Sequence, residues 1–196
     1  MSVETEIAAL RAELVIARRT PDYTEASRRG HGWQTMATSA VAGLVVRPST
    51  VAAVEIWNGN SDRNLIVDRL FSHELVTSTT GLGGGAGIYA MVSLPVIAGP
   101  TVTALTIVGN SGKPYTGGVK TGVGTTVVAN GWFPWGEALK KESAGAVVPG
   151  GVLMAEVKGR IVVPPFCSLC IHVVSGYTGD TFTSGASWYE EKIELE

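Results

Sequence analysis

Residues Pro164–Val174 read PPFCSLCIHVV, and two assignments compete for them. Cys167 and Cys170 have the C-x-x-C spacing of a redox pair or half a zinc site. The same residues also alternate as a strand, with Cys167, Leu169, Ile171 and Val173 set against Ser168, Cys170, His172 and Val174. In a strand, residues three apart point to opposite faces, so the thiols meet only if the strand breaks. No second C-x-x-C exists to complete a zinc site. The strand reading prevails, with both cysteines reduced and structural.

Working outward from this strand, the β signal continues in both directions. Runs rich in Val, Ile, Thr and aromatics lie at 41–47, 51–58, 64–76, 87–94, 101–109, 123–129, 151–158, 160–163, 166–175 and 181–195. Turn-forming stretches such as NGNSD, GNSGKPYTGG, VVPGG and SGYTGD punctuate them. Only WGEALKKES (135–143) offers a helical turn in this region. Strands at this spacing without intervening helices predict a mainly β chain, an antiparallel β-sandwich of jelly-roll type. The 196 residues suffice for one well-buried domain.

The N-terminal part is different. Ser2 can cap a helix that Pro21 ends, with Glu4 and Glu6 in its first turn and Arg18 and Arg19 in its last. Val3, Ile7, Leu10, Leu14 and Ala17 form an a/d seam along it. Two heptads are marginal alone in water, so the seam needs a groove on its own domain, copies of itself or a partner surface. Residues 21–40 are polar and turn-forming and read as a linker or arm, locally basic at Arg28, Arg29 and His31. The expected organisation is thus a short N-terminal α-helix (1–20), an extended arm (21–40) and a sandwich (41–196).

Charge narrows the function classes. Net charge is −2, with a pI near 5.9, which argues against dedicated nucleic-acid binding. Charged residues are 16% of the chain, against roughly 25% in soluble domains. Residues 75–136 hold only Lys113 and Lys120, as suits either surface covered by a neighbour or a neutral Thr-rich β-surface. No uninterrupted apolar run is long enough to cross a membrane as a helix. The N-terminus lacks the basic n-region and long apolar h-region of a signal peptide.

Each apparent chemical motif fails on its context. Gly81, Gly83 and Ala86 in GLGGGAG fit a loose dinucleotide fingerprint, but β-rich IYAMVSLPVIAG follows instead of a helix. No acid stands between Gly81 and Gly136 to hold a ribose. The stretch reads instead as a flexible turn between two strands. GNSGKPYTGG has Ile107 where a P-loop needs glycine and Pro114 where it needs Ser or Thr. His31, His73 and His172 are far apart, with no G-x-S-x-G or H-E-x-x-H beside them. Nothing selects a catalytic pair among the scattered acids. The expectation is a non-enzymatic chain without cofactor or metal.

The best candidates for binding are the aromatics of NGWFPWGE (130–137). Trp132, Phe133 and Trp135 around Pro134 can form a stacking platform for sugar rings or an interface, or can fold back over the core.

Three stretches together resemble virion structural proteins of tailed bacteriophages. One is the heptad helix EIAALRAELVIARR with its arm; another is AAVEIWNGNSDRNLIVDRLFSHEL, where an aromatic-Asn turn leads into an apolar strand. The last is the ending IVVPPFCSLCIHVVSGYTGDTFTSGASWYEEKIELE. The resemblance, one of layout over most of the chain, implies a trimeric jelly-roll protein that decorates a capsid or forms a head fibre. It implies a homotrimer on the virion that bridges subunits of the major capsid protein or another virion protein, with no membrane partner. Ile7, Leu10 and Leu14 of the seam and Arg28, Arg29 and Trp33 of the arm are then the interface candidates. The alternative it leaves open is a fibre or receptor-binding module that contacts host glycan through the Trp132/Trp135 loop.

Overall fold

A computed structural model describes residues 23–76, 85–100, 104–128, 131–140, 151–177 and 179–192. The heptad segment, with Ile7, Leu10 and Leu14, and the stretch 77–84 of the glycine-rich run lie outside these residues. A six-residue helix, α1 (Tyr23–Arg28), leads into eleven strands. These are β1 (Gly32–Met36), β2 (Val41–Ala42), β3 (Val51–Trp57), β4 (Arg63–Val76), β5 (Gly85–Val92) and β6 (Ile107–Gly109). They continue with β7 (Lys120–Thr126), β8 (Phe133–Lys140), β9 (Val152–Val163), β10 (Ser168–Ser175) and β11 (Thr181–Lys192).

The strands form two antiparallel sheets packed face to face. The first has the order β6-β1-β11-β4-β9, with β2 also paired to β11; the second has the order β7-β3-β10-β5-β8. The pairings are nested: β1 with β11, β3 with β10, β4 with β9 and β5 with β8. Successive nested pairs alternate between the sheets, which are completed by β4–β11 and β5–β10. One long antiparallel ribbon rolled over itself in this way is a jelly roll. The short strands β6 and β7, both from the connection between β5 and β8, extend the two sheets beyond β1 and β3 and cover those edges.

Between the sheets lies one core. Val54, Ile56, Leu169 and Ile171 of the second sheet meet Leu65, Val67, Leu70, Val157 and Trp188 of the first. Cys167, Leu169, Ile171 and Val173 face this core, whereas Cys170 belongs to a separate cluster on the other side of the sheet. Both cysteines are free and buried, as the alternation requires. Burial pushes the Cys167 thiol up, and burial together with the Glu55 carboxylate does the same to Cys170.

Three segments differ from the sequence-based expectation. Residues 23–36, expected as an arm, fold as α1 and β1, and β1 lies within the first sheet between β6 and β11. The sandwich therefore begins at Gly32, before the expected boundary at 41. Of the expected helical turn at 135–143, residues 135–140 are instead the end of β8, which pairs with β5 from Ala90↔Phe133 to Gly85↔Lys140, and 141–143 lie outside the described residues. Helix-forming Glu137, Ala138 and Leu139 yield there to cross-strand pairing. Finally, the runs at 151–158 and 160–163 join as β9, interrupted by Lys158 and Gly159 at φ 49° and 79°. The β4–β9 register shifts at this bulge, between Val67 and Arg69.

Gly85, Ala86 and Gly87 open β5 and are followed by strand, not by a helix. The helix N-terminus that a dinucleotide pyrophosphate needs is therefore missing at this place.

Candidate functional site

The described surface offers two features that stand out chemically: an apolar row and a polar cavity.

The row crosses the outer face of the first sheet. Met36 on β1 pairs with Gly185 on β11, Gly185 with Phe71 on β4, and Phe71 with Met154 on β9. Their chain neighbours Leu70, Leu153, Ala155 and Ala186 point into the core, so these four point away from it. Met36 is 38% exposed and Met154 52%. Gly185 makes the row possible: a Cβ there would lie 2.6 Å from Phe71 Cε2 and would also strike the Thr35 carbonyl. Exposed Val152 and Leu75 extend the apolar surface toward the end of the sheet.

Helix α1 lies on this same outer face. Ala26 and Tyr23 pack against Ile66 and Tyr189. The Tyr23 hydroxyl donates to Trp33 O at 3.3 Å, accepts from Asn110 Nδ2 at 2.7 Å and also meets Ser187. Ser187 is one outward step along β11 from Gly185. The chain upstream of Tyr23 thus joins the structure beside the row.

The cavity, about 550 Å³, is walled by three turns and the end of β11. One wall is Gly30, His31 and Trp33; the second is Asn60, Asp62 and Arg63; the third is Lys113–Gly118; Glu190 closes it. The Glu190 side chain is only 5% exposed. Its Oε1 accepts from the Tyr115 hydroxyl at 2.7 Å, and Arg63 Nη1 lies 3.5 Å from its Oε2. Arg63 Nε is also 3.9 Å from Asp62. The Tyr115 oxygen in turn accepts from Val119 N at 3.0 Å. Burial first, and then the neighbouring Glu190, push the Tyr115 pKa up, so it remains a neutral phenol donor.

Fully buried Asn58 holds the second wall. Its Nδ2 donates to Arg63 O and Val163 O, and its Oδ1 accepts from Asn60 N and Nδ2. Asn60 Oδ1 then accepts from Gly118 N at 3.0 Å and ties the second wall to the third. Gly59 and Gly118 meet backbone to backbone: a Cβ on Gly118 would lie 2.9 Å from the Gly59 carbonyl carbon. Only glycine permits so close an approach.

The candidates chosen from the sequence separate in space. Trp33 is buried and meets Tyr115 edge-on at 5.0 Å, which makes it part of the core behind the cavity. Arg28 and Arg29 are exposed, and Arg29 pairs with Glu25 at 2.7 Å. The aromatic stretch forms no shared platform. Trp132 is 2% exposed, donates from Nε1 to Ser49 O at 2.8 Å and is buried with Met91, Val127 and Cys170. Trp135 packs against the main core with the Arg160 guanidinium 5.3 Å above its ring. Of the three, Phe133 alone is strongly exposed, at 67%.

Asn60, Asp62, Arg63, Lys113, Tyr115 and Glu190 went unrecognised as a group because their turns are far apart in sequence. The available signal was the pair of glycine-containing polar turns, NGNSDR and GKPYTGG. Among the described residues, no group of three or more His, Cys, Asp or Glu could hold a metal ion, and no helix is long and apolar enough to cross a membrane. Comparison with protein-family models, curated proteins and solved structures found no match to this chain.

Proposed function

We propose that this chain is a non-enzymatic structural virion protein, a capsid decoration (cement) protein that trimerises and stabilises the head by bridging capsid subunits. The observation that carries this reading is the apolar Met36–Gly185–Phe71–Met154 row on the outer face of the first sheet, exposed at both ends through Met36 and Met154. Tyr23, where the described chain begins, meets Ser187 one outward step from Gly185 in this row, and the heptad pattern read from the sequence before it supports a surface built for association. The jelly-roll topology supports the same reading, since viral capsid domains use it widely, although lectins and cupins do too.

Function on this reading is burial. Stable obligate interfaces cover about 2,000 Å² or more, and apolar area contributes roughly 25 cal/mol per Å² before association costs. Contact added where capsid subunits meet opposes the outward pressure of packaged DNA. Co-sedimentation with phage heads that lack the protein tests the reading. The chain is expected to pellet with the heads to a fixed stoichiometry and to raise their resistance to heat. A chain that stays in the supernatant and leaves heat resistance unchanged refutes it.

A further inference from the structure

We infer that the cavity between the turns at 30–33, 59–63 and 113–118 binds a neutral carbohydrate, a single sugar or the end of a glycan. This inference stands apart from the assembly reading, because trimerisation and head binding can each fail without touching it.

The lining selects the ligand class. Around about 550 Å³ stand two cations, Arg63 and Lys113, and two carboxylates, Asp62 and Glu190. Their formal charges cancel. The carboxylates disfavour a phosphate or sulfate, and the two cations disfavour a metal ion. Trp33 lines the cavity but is only 7% exposed, with Tyr115 edge-on against it, so little ring face is left for a nucleobase. Apart from Pro114 and the half-buried Tyr115 ring, the remaining wall groups are polar, among them Asn60, Thr116 and the backbone of a glycine-containing turn. An apolar ligand would strip water from them without replacing its hydrogen bonds.

A neutral polyol meets every one of these conditions. Each sugar hydroxyl both donates and accepts, so adjacent hydroxyls can give hydrogen bonds to Asp62 while receiving them from Lys113 or Arg63. The volume falls in the ordinary range for small-ligand sites.

The walls are also held before a ligand arrives. Tyr115 and Arg63 are both tied to Glu190, and the Asn58–Asn60–Gly118 bonds fix the two turns to each other. A site fixed in advance loses less conformational entropy on binding. The site uses none of Trp132, Phe133 or Trp135.

Titration of the ¹⁵N-labelled full chain with methyl glycosides of hexoses and N-acetylhexosamines tests the inference. Saturable amide shifts are expected at 30–33, 59–63 and 113–118, with millimolar affinity. Asp62→Ala and Lys113→Ala, both at exposed positions, are each expected to weaken binding about tenfold by removing one charge-assisted hydrogen bond, with thermal midpoints unchanged. Three results overturn the inference: no saturable shift with any glycoside, binding that both variants leave unaltered, or saturation of these amides by sulfate alone.

Discussion

β9, at the edge of the first sheet, and β10, at the centre of the second, meet their surroundings differently. Along β9 burial alternates, with Leu153, Ala155 and Val157 inside and Val152, Met154 and Glu156 outside. Along β10 every residue but Val174 is buried, on both faces. The difference lies above the sheets. Trp132 closes over Met91 and Cys170 on the outer face of the second sheet. On the outer face of the first sheet, among the described residues, α1 covers the part around Ile66 and Tyr189. The exposed part of the first sheet lies toward its β9 edge, whereas its central strand β11 is buried from Phe182 to Tyr189 on both faces, as β10 is. That contrast supports an outward role for the β9 side of the first sheet.

Removing the cover is the largest perturbation. Trp132→Ala should cost about 3–5 kcal/mol, as loss of a large buried aromatic does, read from urea unfolding. It should also open Cys170 to a thiol reagent that is inert toward the parent chain. If stability hardly changes and Cys170 stays protected, Trp132 is not the cover.

On the other sheet, Gly185→Ala forces a methyl group against the Thr35 carbonyl and the Phe71 ring. A cost of about 1–3 kcal/mol is expected from overpacking, and a change within error would mean the strands yield freely there.

Acid should act through the covered sheet. Burial holds the His172 imidazole below its ordinary range. As pH falls through about 6.5, the unfolded chain takes up a proton there that the folded chain resists, so stability declines. The slope due to this group approaches about 1.4 kcal/mol per pH unit. His172→Gln should flatten the stability profile between pH 6.5 and 5; an unchanged slope would assign the acid response to other groups.

Smallest of all should be changes at the exposed β9 edge. Val152→Thr and Met154→Ser are expected to shift stability by less than about 0.5 kcal/mol, as exposed positions do. A larger loss in the isolated chain would show that this edge is covered within the chain after all.

The sequence made some of this legible and hid the rest for physical reasons. Alternation in 167–174 revealed the strand and the divergence of Cys167 from Cys170, because period-2 patterning is local. The polar NGNSD stretch marked the turn from β3 to β4, and Gly159 marked the break that proves to be a bulge. β1 stayed hidden because GWQTM is short and polar, and its partner β11 lies some 150 residues later. Trp33 looked like an interface residue for the same reason: its burial comes from that distant strand and from Tyr115. β8 was obscured by the helix-forming run EALK. Nothing local links Asp62, Lys113 and Glu190, which share a cavity only through the nested pairing. The aromatic stretch showed which residues mattered but not their directions, since adjacent strand residues diverge.

Light scattering on the full chain tests the central claim most directly. The account predicts a mass three times the 20.5 kDa of one chain. Phe71→Asp combined with Met154→Asp should reduce it to the mass of a single folded chain. A parent chain that is monomeric at every concentration, or a trimer indifferent to both substitutions, would contradict the account.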